Sequence, residues 1–153
     1  MAGLYLHIPF CRQACYYCDF HFSTDTHHRH ELVQALIKEL ELQKNYVREP
    51  IGTLYFGGGT PSLLTGDELS MLMDAVRNNY SLDTGAEITL EANPDDLGLK
   101  HLQELRQAGI NRLSIGIQSF DSNTLKYLHR IHDAARARQC LLDAREAGFT
   151  NIS

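Results

Sequence analysis

Leu4-Tyr5-Leu6-His7-Ile8-Pro9-Phe10-Cys11-Arg12-Gln13-Ala14-Cys15-Tyr16-Tyr17-Cys18 is the stretch from which the fold is read. Leu4 to Ile8 is a strand, closed by Pro9, whose fixed φ and missing N–H do not suit continued pairing. Three of the four cysteines follow at once, in C-x₃-C-x₂-C spacing. Parallel α/β sheets and barrels carry their chemistry at the C-terminal ends of strands, and this is where the cysteines stand.

Outward from there, short strand-like runs alternate with stretches of helical period. Leu32, Val33, Leu36, Ile37 and Leu40 mark one face of a helix after a polar, His-rich loop. Gly52 to Phe56 is a second strand ending in glycines, and Thr65 with Glu68 has capping-box spacing before Leu69, Leu72, Met73 and Val76. Glu87 to Glu91 is a third strand. Leu99, Leu102 and Leu105 follow as a helix stripe, with Gly109 as its C-terminal cap. Arg112 to Ile117 is a fourth strand, with Gln118 at its end. Asp121 and Asp133 cap two further helical segments, and Arg130 falls in the first of them. Ala137, Cys140, Leu141 and Ala144 line the second, which Gly148 closes before Asn151 to Ser153 open a fifth strand.

Arg106 to Ser114 and Arg145 to Ser153 echo one another as helix end, glycine turn and new strand. Repeated βα units of this kind predict an α/β fold with a parallel sheet, open or closed into a barrel. No linker or domain boundary interrupts residues 1–153, so one domain is expected. A parallel sheet stopped at its fifth strand has an unpaired edge, which suggests a fragment of a longer protein. A small flavodoxin-like domain is the alternative.

The formal charge of −5 leaves no basic excess to neutralise phosphates, so nucleic acid is not an expected partner. Lys and Arg are scattered, which disfavours an acidic membrane surface. The first ten residues lack a basic, apolar leader pattern, and no run approaches the ~20 apolar residues of a membrane span. A cytoplasmic protein is expected, and in that reducing compartment close-set cysteines point to metal or redox chemistry.

Three thiolates at this spacing can wrap one face of a cubane, each binding a different iron. The fourth iron then stays open to a small molecule. A zinc site is the competing reading; it needs a fourth ligand, for which His21 and Cys140 are the candidates. Cys140, on an apolar helix face, also reads as a small buried hydrophobe.

C-x₃-C-x-Φ-C, with Tyr17 at Φ, resembles the signature of radical S-adenosylmethionine (SAM) enzymes. The resemblance extends through Tyr5 to Cys11, Tyr55-Phe56-Gly57-Gly58-Gly59-Thr60-Pro61, Glu91-Ala92-Asn93-Pro94 and Gly109 to Phe120. These match one branch of that superfamily, the oxygen-independent coproporphyrinogen III oxidases (HemN) and the haem chaperones (HemW). The resemblance implies the N-terminal portion of a partial TIM-type barrel. It also implies a [4Fe-4S] cluster on Cys11, Cys15 and Cys18, reduced by an external electron donor. An electron passed to bound SAM would break a carbon–sulfur bond and yield an organic radical.

By the same resemblance Gly58, Gly59 and Thr60 meet the methionine part of SAM, and Glu91 accepts from the ribose hydroxyls. Gln118, Tyr5 and Tyr17 join the cofactor site, and Arg130 pairs the cofactor carboxylate. In the oxidases a fourth cysteine typically stands two residues after the third; here that position is Phe20, as in the haem chaperones. Phe20 therefore favours a chaperone that binds haem and passes it to apoproteins. The alternatives are an oxidase that decarboxylates two porphyrinogen propionates and a non-catalytic zinc or redox domain. His21, His27, His28 and His30 could offer imidazole to haem iron, but loop histidines in solvent are the simpler reading. Asp67, Glu68, Asp95 and Asp96 read as caps and exposed charges.

Overall fold

The computed structural model describes residues 2–153. Five strands form one parallel sheet in sequential order: β1 (Ala2–Ile8), β2 (Ile51–Gly58), β3 (Leu82–Ala92), β4 (Arg112–Ile115) and β5 (Asn151–Ile152). Helices α1 (Arg29–Leu42), α2 (Gly66–Asn79), α3 (Leu99–Ala108), α4 (Ser122–Tyr127) and α5 (Ala134–Glu146) fill the connections. A flavodoxin-like sheet would run 2-1-3-4-5 with helices on both faces. Here every strand neighbours its successor, and consecutive helices pack on one another, α1 on α2, α2 on α3 and α3 on α5. The helices therefore share one face, as in a barrel wall.

Alternation along the strands separates the two faces. Leu6, Ile8, Leu54, Phe56, Leu90 and Leu113 are buried in the core with Val33, Leu69, Leu72, Met73, Leu102 and Leu105 from the helices. Tyr5, His7, Thr53, Tyr55, Thr89, Glu91, Arg112 and Ser114 occupy the alternate positions. A closed TIM barrel fills this inner face with branched apolar side chains; here it is polar.

The local signals act as the sequence predicts. Thr65 accepts from the Glu68 N–H at 3.2 Å and Glu68 accepts from the Thr65 N–H at 2.9 Å, a complete capping box. Asp121 and Asp133 cap α4 and α5, and Gly109 ends α3 at φ 110°. Three expectations are corrected. The fourth strand ends at Ile115, two residues early, because Ile117 N–H donates to Ile115 O and Ser119 N–H to Ile117 O. Those bonds across two residues turn the chain inward, and Gln118 sits in the turn at φ 64° instead of on a strand end. Arg130 lies in the loop between α4 and α5, not in a helical segment. Asp96 is not an exposed charge: Arg12 Nε lies 2.7 Å from it and its side chain is 2% exposed, while Glu68 is the expected cap and has Arg29 Nε 3.0 Å away as well.

Candidate cofactor site

The cysteine loop after β1 is held in place by protein contacts. Phe10 bridges to Ser23, and Cys11 N–H donates to Ser23 O at 2.9 Å. Arg12 pairs with Asp96, which also accepts from the Ser62 hydroxyl at 2.8 Å. On the far side Gln13 donates to His129 O at 2.8 Å, His129 Nδ1 meets Ala14 O at 2.7 Å, and Tyr16 stacks on the His129 ring at 4.5 Å. The loop is thus clamped between the turn after β3 and the segment after α4.

The glycine turn after β2 is stitched to the same loop. Gly59 N–H donates to Ile8 O at 2.8 Å and Thr60 N–H to Phe10 O at 2.7 Å. A Cβ on Gly59 would stand 2.6 Å from Phe10 O, so this backbone approach admits no side chain. Thr60 Oγ1 donates to Cys11 Sγ at 3.4 Å and accepts from Asn93 Nδ2 at 3.1 Å. Burial pushes the Cys11 thiol up in pKa, and the Thr60 contact opposes this.

These segments enclose a cleft of about 250 Å³ at the C-terminal ends of the first four strands. It brings together Cys11, Cys15, Cys18, Tyr17, Phe20, Gly58, Gly59, Thr60, Glu91, Gln118 and Arg130, all predicted from sequence. The candidate ligands His21, His27, His28, His30 and Cys140 lie outside the lining, and of the residues assigned to the SAM and cluster site Tyr5 alone does. It is 54% exposed on the edge strand, stacked on Tyr55 at 6.0 Å, with its hydroxyl 3.1 Å from His7 Nδ1. It connects to the cleft residue Glu91 through Tyr55, which donates to that carboxylate. A larger groove of about 590 Å³, lined partly by Arg12, Asp96, His101 and Glu104, holds none of the thiols.

Glu91 and Arg130 are the charged side chains lining the cleft. Glu91 accepts from Tyr55 at 2.7 Å and from Gly58 N–H at 3.1 Å. Arg130 spans the other wall: Nη2 donates to Asn93 Oδ1 at 2.6 Å and Gly116 O at 2.7 Å, and Nη1 to Cys15 Sγ at 3.3 Å and Tyr17 Oη at 3.2 Å. Its Nε is buried with no protein acceptor. Sequence reasoning gave no role to Tyr55, Asn93, Ser114 or Gly116. Strand parity was the available signal for Tyr55, since residues 55 and 57 share a face.

Among the described residues no three His, Cys, Asp or Glu side chains gather closely enough to hold one metal ion. Ligands sharing a zinc at ~2.3 Å must nearly touch, whereas cubane thiolates each take their own iron. Three thiols spread around one cleft fit the cluster better than zinc. Cys140 is no fourth ligand: it is fully buried in α5, its Sγ donating to Ala137 O at 3.2 Å. Burial pushes its thiol up to about 11. In iron-free native protein, iodoacetamide at about pH 8 should therefore label the three loop cysteines and spare Cys140 until denaturant is added. Peptide mass mapping reads this, and equal labelling of Cys140 in the native protein would contradict its burial.

Residues 5–153 match the family described as the radical SAM superfamily. The haem chaperone HemW of Escherichia coli (strain K12) is 42% identical over 154 residues, covering 99% of this chain and 41% of that protein. HemW of Bacillus subtilis (strain 168) is 37% identical over 156 residues, covering 100% of this chain and 41% of that one. The chain thus spans about two fifths of the length of these relatives. Among solved structures, coproporphyrinogen III oxidase (HemN) from Escherichia coli superposes with a TM-score of 0.89 at 34% identity, over 98% of this chain and 35% of that one.

Proposed function

The chain belongs to the radical SAM superfamily, and on that premise we propose that it is the cofactor-binding part of a haem chaperone. Membership implies a [4Fe-4S] cluster and SAM. Cys11, Cys15 and Cys18 would hold the cluster; when bound, cluster and SAM together supply one-electron chemistry. The observation that carries the reading is the convergence of the cysteine loop, the glycine turn, Glu91, Gln118 and Arg130 on one cleft.

Each group suits a part of SAM. The N–H groups of Gly58, Gly59 and Thr60 are all spent within the protein, so the turn would meet an ammonium through carbonyl oxygens. Glu91 keeps lone pairs for ribose hydroxyls. Arg130, the cation lining the cleft, suits a carboxylate. Its position against Cys15 and Tyr17 would also tie the cofactor end to the cysteine loop.

Phe20 favours the chaperone over the oxidase. It lines the cleft as a residue 75% exposed, at the position where the oxidases typically carry a further cysteine. Both relatives cited are named as haem chaperones. The oxidase is the second reading, favoured by the close superposition on HemN. A reducing electron donor and haem-accepting apoproteins complete the proposed partners. No helix among the described residues is long and apolar enough to cross a membrane.

Full-length protein, reconstituted anaerobically, tests both. Haem titration should give a saturable shift in the haem absorption bands, and incubation with coproporphyrinogen III, SAM and a reductant should leave the substrate unchanged. Decarboxylated product without haem binding would overturn the chaperone reading in favour of the oxidase.

A further inference from the structure

Tyr55 lies behind the cleft lining and donates to Glu91, and the proposed function leaves it unused. On β2, residues 53, 55 and 57 share the face turned away from the core, and Glu91 has the same face on β3. Tyr55 pairs with Thr89, two residues before Glu91, so a phenol leaning along the strand reaches the carboxylate. It does so at 2.7 Å, donating to Oε1, while Gly58 N–H donates to Oε2 at 3.1 Å. Each carboxylate oxygen has one fixed donor and lone-pair capacity left over.

The phenol is itself held. Its ring stacks on Tyr5 at 6.0 Å and 21°. Burial, and then Glu91, push Tyr55 up to about 12, so it remains a donor throughout the neutral range. Phenylalanine would fill the same space and stack on Tyr5 as well, so the hydroxyl has a separate job.

We propose that Tyr55 is the positioning residue for Glu91, holding its carboxylate as a preformed acceptor for the vicinal diol of a ribose. This rests on the reading of Glu91 as the ribose contact. Without the phenol, Glu91 Oε1 loses its donor and the carboxylate is free to change rotamer, so orienting it falls to the ligand.

The test uses full-length, cluster-reconstituted protein and equilibrium binding of SAM and its 2′-deoxyribose analogue. Wild type is compared with Tyr55→Phe, Glu91→Gln and the double variant. Tyr55→Phe should weaken SAM binding roughly tenfold, the scale of one hydrogen bond to a charged group. Preference for SAM over the 2′-deoxy analogue should shrink, and the double variant should bind no more weakly than Glu91→Gln alone. Unchanged binding by Tyr55→Phe overturns the inference. So does an equal loss for both ligands, or multiplying effects in the double variant. If Glu91→Gln itself binds SAM like wild type, the ribose reading of Glu91 fails first and the role of Tyr55 with it.

Discussion

Cys15→Ala, made in the full-length protein and reconstituted anaerobically with iron and sulfide, is expected to lose most of its cluster and to bind SAM more than about 100-fold more weakly. Losing even a group that supports a metal ligand typically costs ~10–100-fold, and Cys15 is proposed as a ligand itself. The loss should come from chemistry and not from unfolding. Arg12 on Asp96, Gln13 on His129 O and Tyr16 on the His129 ring hold the loop through protein contacts alone. Circular dichroism of Cys15→Ala should therefore match wild type while iron content and the visible absorption band fall. Cys140→Ala supplies the contrast: Cys140 sits in the core with no access to the cleft, so some stability goes and the iron stays. A Cys15→Ala protein that keeps full iron and full SAM affinity would refute the cysteine assignment.

What could be read from the sequence was whatever local chemistry determines. The Thr65–Glu68 capping box and the Gly109 turn are closed within a few residues, and both form as their spacing predicts. The cysteine spacing is equally local, and the strand ends that carry Gly58 and Glu91 follow from the βα repeat. Features that depend on distant partners were hidden. Asp96 looked like a surface charge because its partner Arg12 lies 84 residues away, and the ion pair of the cap residue Glu68 was hidden because Arg29 lies 39 away. Tyr55 reads as an ordinary strand tyrosine until β2 and β3 are placed in register. The end of β4 escaped because Arg112 to Ile117 alternates well as a strand. The chain instead leaves the ladder at Gly116, whose N–H goes to Ala92 O, and then bonds to itself.

Gly59→Ala is expected to destabilise the protein by roughly 2–4 kcal/mol, combining overpacking with loss of two backbone hydrogen bonds. The added methyl would lie 2.6 Å from Phe10 O and 3.0 Å from Phe10 C and N. All three are backbone atoms, so no rotamer change relieves the contact; the glycine turn must move away from the cysteine loop. That movement breaks Gly59 N–H to Ile8 O and Thr60 N–H to Phe10 O, and it carries Thr60 away from Cys11. Cluster retention should therefore fall along with the melting temperature. Gly85→Ala is the control, since nothing lies within 4 Å of its added Cβ; there the change should stay within about 0.5 kcal/mol. Thermal melts and iron content of the two variants in the full-length protein decide the matter. If Gly59→Ala melts with Gly85→Ala and keeps its iron, the two loops do not depend on close backbone contact, and the cleft needs another explanation for its shape.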